Sequence, residues 1–139
     1  MANFSTIRAK IKANLDTIAE LGFVADFHDA NLTDFPAATF DLSLADSEFI
    51  TNKENLRTMT YEIVLYQEVE VLGLAEAKDL LDALAIKVID LFETDFNLGG
   101  EVDWCQPLVG PRGQFKSPIG QVFFQTLTLE CKFSKLVIT

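Results

Sequence analysis

Apolar residues follow two different periods along this chain. Ile7, Ile11, Leu15, Ile18 and Leu21 recur every third or fourth position, the spacing that aligns one face of a helix. Ser5 stands before that stripe as a candidate N-cap, and Gly22 follows it where a left-handed C-terminal cap belongs. Arg8, Lys10 and Lys12 fall off the stripe and read as solvated. A second, longer helix is predicted over residues 75–96. Its wide apolar face is Ala77, Leu80, Leu81, Leu84, Val88, Leu91 and Phe92. Glu76, Asp79 and Asp82 gather near its start, where the helix dipole favours negative charge.

Elsewhere the period is two. Residues 23–28 predict a short strand, and residues 29–36 a loop closed by Pro36. Phe40, Leu42 and Leu44 alternate with Thr39, Asp41 and Ser43, which predicts a strand with one apolar face. Residues 46–56 then read as a polar connection. Met59, Tyr61, Ile63 and Leu65 alternate against Thr58, Thr60 and Glu62 in a run over 57–69, long enough for one end to project beyond the core. Residues 101–109 are expected to pair with 121–133, where Phe123, Leu127, Leu129, Cys131 and Phe133 share a face. Between them, residues 110–120 hold three glycines and two prolines and read as a long loop carrying Arg112 and Lys116. That loop is either a plain solvated tip or a docking element whose contact residues would be Arg112, Gln114, Phe115 and Lys116.

The stretch Asn97-Leu98-Gly99-Gly100 must stop the second helix and turn the chain into a strand. Asn97 and Gly99 tolerate positive φ, Leu98 can fold back as the apolar contact of such a cap, and Gly100 lets the chain pass close to the sheet. Helix, strands, helix, strands is the order of an α+β fold: one domain over residues 1–139, a mainly antiparallel sheet, and two principal helices on one of its faces.

Composition narrows the function. With 139 residues the chain is long enough for a real core, and 49% hydrophobic residues argue against global disorder. No run is long and apolar enough for a membrane span, and the opening residues lack the apolar block of a secretory signal, so a cytoplasmic product is expected. The net charge of −10 is concentrated in residues 23–101, while both ends are net positive. Such a balance argues against a nucleic-acid-binding module, which needs a basic stripe to release counterions. The single histidine, His28, lies beside Asp26 and Asp29, but the spacing matches no zinc or calcium loop. No nucleophile elbow, dinucleotide fingerprint or phosphate loop is present, so no catalytic, metal or cofactor residue is assigned. Cys105 and Cys131 stand in apolar surroundings and are expected to be buried free thiols. Trp104, Tyr61 and Tyr66 read as sheet-face packing or, alternatively, as interface anchors.

Four features give the chain a family likeness. They are the amphipathic opening helix STIRAKIKANLDTIAEL, the long strand RTMTYEIVLY introduced by an arginine, the helix that ends DFNLGGEV, and a closing strand pair. In that order of elements the chain resembles the tail terminator, or tail completion, proteins of long-tailed bacteriophages. The resemblance implies an α+β fold that assembles into a ring, typically a hexamer. The ring sits on the head-proximal end of the tail tube, stops its growth and offers a surface to the head connector. The implied partners are other copies of the chain, the tail tube protein and the head–tail connector protein, with no membrane and no sequence-specific nucleic acid. The implied location is the virion, after assembly in the host cytoplasm. On this reading Arg57, Tyr61 and Tyr66 would lie on a strand that extends a sheet edge toward the next subunit, and the acidic middle of the chain would line a lumen that does not bind DNA. A neighbouring head–tail joining protein is the alternative of the same kind. A small adaptor or ligand-binding domain is the alternative of another kind.

Overall fold

Helix α1 (Phe4–Asp16) and helix α2 (Leu74–Thr94) lie against the same side of a five-stranded sheet built from β1 (Phe23–Ala25), β2 (Ala37–Phe49), β3 (Glu54–Glu68), β4 (Trp104–Ser117) and β5 (Gly120–Leu136). The structure, a computed structural model, describes residues 4–28, 32, 34–49, 54–118 and 120–136. The sheet order is β1-β2-β3-β5-β4; β1 runs parallel to β2 and every other pair is antiparallel. The fold is α+β.

The apolar periods became the core. Ile7, Ile11 and Leu15 of α1 and Ala77, Leu81, Leu84, Val88 and Phe92 of α2 meet Met59, Tyr61, Ile63 and Leu65 of β3 and Phe123, Leu127, Leu129 and Cys131 of β5. Most of these side chains are fully enclosed, each contributing roughly 1.5–3 kcal/mol of transfer free energy.

Helix boundaries differ from the sequence expectation for local reasons. Ser5 lies inside α1 instead of capping it. The α1 ladder stops at Asp16, well before Leu21, because the Thr17 hydroxyl donates to the Asn14 carbonyl at 2.6 Å and the backbone tightens into single turns. Ile18 still reaches the core through those turns. Gly22 is not left-handed; its N–H donates to the Pro36 carbonyl at 2.8 Å.

Three strand expectations also change. The polar stretch 46–56 is largely ladder, since β2 and β3 pair from Ala37↔Tyr66 to Phe49↔Asn55; residues 50–53 lie outside the described set. A register shift between Leu42 and Leu44 breaks the expected alternation and leaves Leu44 exposed. The loop expected over 110–120 is also mostly strand. It pairs with β5 out to Ser117↔Gly120, with a register shift between Val109 and Arg112, and of its tip only Pro118 is described. Strand β3 is the central strand, bonded to β2 on one side and β5 on the other.

Candidate interaction surfaces

The helix-to-strand corner is built as a cap, with its roles redistributed. Asn97 keeps a negative φ of −105°, and the left-handed residues are Leu98 (φ 49°), Gly99 (φ 67°) and Gly100 (φ 95°). A leucine tolerates that conformation here because its side chain is wholly buried. The roughly 2 kcal/mol gained by burial offsets a left-handed cost of about 1–2 kcal/mol. Gly100 makes no close approach to the sheet, since a Cβ there would meet nothing within 4 Å; its glycine serves the backbone angle alone. The corner's anchor is a residue the sequence did not single out. One Asp95 oxygen accepts the Gly99 N–H at 3.0 Å, and the other accepts the Asn14 amide at 2.9 Å, tying the corner to α1. Asn14 and Asp95 stand far apart in sequence, so only the packing of α1 against the corner reveals the pair.

Arg112 stands on strand β4, not on a loop tip, and it is engaged within the chain. Its guanidinium pairs with Asp82 of α2, its Nε donates to Gln125 Oε1 at 2.8 Å, and it lies 5.2 Å from the Phe123 ring centroid. Gln125 in turn donates to the carbonyls of Gly110 (3.0 Å) and Thr126 (2.8 Å), satisfying an acceptor at the register shift. Phe115, still 38% exposed, packs against Tyr66 (6.0 Å between centroids, edge-on) and Phe124 (6.1 Å). All four expected contact residues, Arg112, Gln114, Phe115 and Lys116, are exposed on the outer strand, the first and third of them with partners on the protein itself.

Arg57, Tyr61 and Tyr66 do not converge on an edge. Strand parity puts Arg57 and Tyr61 on the helix side and Tyr66 on the opposite side, and both tyrosines are buried. The outer strands are β4 and the three-residue β1, which pairs with β2 only over Ala37–Thr39. Strand β4 carries Pro107 and Pro111, which lack N–H donors, plus a register shift, all features that discourage addition of another strand.

What remains exposed is a set of apolar side chains. Ile86 of α2 (60% exposed) and Val109 of β4 (67%) flank a groove of about 350 Å³, whose floor includes Ala85, Ile89 and Gly110. A second groove, about 340 Å³, lies between Pro36 and the α2 residues Leu80, Ala83 and Leu84, bridged by a 2.8 Å ion pair from Lys87 to Glu20. Trp104 is partly exposed, with the Lys132 ammonium 5.2 Å from its ring.

His28 does not pair with Asp26; the carboxylate beside it is that of Glu62, 3.5 Å from Nε2. Asp26 points to Arg8 (3.5 Å), while His28 Nδ1 shares a 2.8 Å hydrogen bond with the Thr39 hydroxyl; Asp29 lies outside the described residues. Thr39 also bonds the Tyr66 hydroxyl at 3.1 Å. Among the described residues no group of three or more His, Cys, Asp or Glu side chains is arranged to hold a metal ion, and no helix is long and apolar enough to cross a membrane.

Cys105 and Cys131 are free, buried and directly opposed across β4 and β5. The hydrogen bond between the two thiols lowers the pKa of Cys105 and raises that of Cys131, which burial raises further. No protein-family model matches the chain, and no curated protein matches it either.

Proposed function

We propose that this chain is a structural virion-assembly protein of the tail terminator kind. It forms a ring, six copies in the typical case, on the head-proximal end of a phage tail tube, stops tube growth there and presents a docking surface to the head connector. The observation that carries the reading is the exposed apolar strip along α2 and β4, where Ile86 and Val109 flank an open groove. A chain that works by interface complementarity needs such a strip, because well-packed apolar contacts supply most of the affinity when repeated around a symmetric ring. The order of elements behind the family likeness, with Leu98 and the two glycines closing the long helix against α1, supports the same reading.

Ring contacts in this proposal are made by side chains, since the prolines of β4 disfavour strand addition. Contact with the tube falls to the β4–β5 hairpin end, where Gln114 and Lys116 are exposed.

The test is tail length, measured by electron microscopy in particles from the parent replicon with this gene silenced. Overlong or ragged headless tails, cured by adding the purified protein, are expected. Tails of normal length joined to heads would overturn the proposal.

A further inference from the structure

The face of the sheet turned away from both helices carries aromatic side chains that no helix covers: Tyr66 is buried, Phe124 partly so, and Phe115 is 38% exposed. Tyr66 of β3, Phe115 of β4 and Phe124 of β5 line a trough of about 300 Å³. Gly113, the register partner of Phe124, makes room for its ring: a Cβ at that position would lie 3.1 Å from Phe124 Cζ. The hydrogen-bonded series His28–Thr39–Tyr66 holds the tyrosine hydroxyl in place.

The rim of this trough is acidic. Glu62 lines it, with His28 Nε2 3.5 Å from the carboxylate, and Asp41 is the register partner of Glu62 on β2. Like charges facing each other across a strand pair oppose folding, and His28 offsets this pair only in its protonated form, so a permanent cation would be favoured here. Farther along the face, Lys132 is engaged with Glu130 (3.3 Å) and Trp104. Glu62 lines the same trough as the three rings, four residues from Tyr66 along β3, which suits a cation on a long apolar stem: the stem packs on the rings and the charge reaches Glu62.

Charge also selects among occupants. A second copy set face to face would bring carboxylates against carboxylates on a chain of net charge −10, and nucleic acid or an anionic membrane would be repelled. We propose that the trough is a docking site for a basic protein segment. One arginine or lysine side chain of that segment enters between Tyr66, Phe115 and Phe124 with its charge against Glu62. The inference goes beyond the terminator reading and stands independently of it.

The experiment titrates isotope-labelled protein with the peptide acetyl-Gly-Arg-Gly-Arg-Gly-amide and follows backbone amide resonances. Shifts should gather at residues 62–66 and 124–126, and a glutamate-containing counterpart should cause none. Glu62→Gln should weaken binding about fivefold, and Phe115→Leu, which keeps bulk but loses the π face, about threefold. Asp90→Asn on the exposed face of α2 removes the same charge and should change little. Three outcomes overturn the proposal. One is absence of shifts at millimolar peptide. The second is an equal loss on Asp90→Asn, which would mean general attraction to an acidic protein. The third is movement of the same resonances on dilution without peptide, which would mean that a second copy covers the face.

Discussion

Tyr61 shows how much one buried hydroxyl can matter. Its ring packs near Phe40 in the core, and its hydroxyl finds no hydrogen-bond partner among the described residues. Burial, helped by the nearby Cys131 and Asp41 and opposed by Arg8, pushes its pKa from 10.0 up to about 12. Below pH 10 both folded and unfolded chains keep the phenolic proton and stability is full. Between pH 10 and about 12 the unfolded chain ionises first, so stability falls as pH rises, by a total on the order of 2–3 kcal/mol. Tyr61→Phe should therefore be neutral or slightly stabilising at pH 7 and should flatten much of that alkaline loss, as read by urea denaturation across the pH range. An unchanged slope would assign the loss elsewhere, first to Tyr66, whose pKa burial also raises. At this scale the sequence was partly legible. The glycine pair announced a corner, but the choice of Leu98 as a left-handed residue depended on a core pocket that no local pattern displays.

At the scale of elements, Arg112 clamps the outer strand to the helix above it. The ion pair with Asp82 is half exposed, so a double-mutant cycle between the two should give a coupling of about 0.5–1 kcal/mol that weakens with salt. Arg112→Glu should lower the melting temperature clearly, because it sets two carboxylates together and strips Gln125 and Phe123 of a partner. Lys116→Glu, on the exposed end of the same strand, should not. Equal effects would mean that the clamp contributes nothing to stability. The stretch 110–120 looked like a loop because glycine and proline usually break strands. An edge strand escapes that rule, since its outward N–H groups have no ladder partner to lose. Position in the sheet decided the matter, and position is not written in residues 110–120 alone.

At the scale of the whole molecule the acidic charge and the apolar strip act against each other. Self-repulsion keeps separate copies apart at low salt, and the strip offers contact area once charge is screened. Sedimentation velocity should show association rising with ionic strength in the natural protein. It should stay near monomer for Ile86→Asp and Val109→Asp, both at exposed positions where the fold tolerates charge. Association left intact in both variants would remove this strip from the proposed ring contact. The sequence by itself determined the class of fold, both helices, the inward face of β3 and β5 and the buried thiols, because a period of burial is local and repeats many times within each element. Tertiary structure alone decided that β3 is central, that Arg112 meets Asp82 and Phe115 meets Tyr66, that Asp95 reaches Asn14, and that an aromatic trough opens on the face of the sheet away from the helices. Those outcomes depend on which strands become neighbours, and strand neighbours are chosen by the packing of the whole chain.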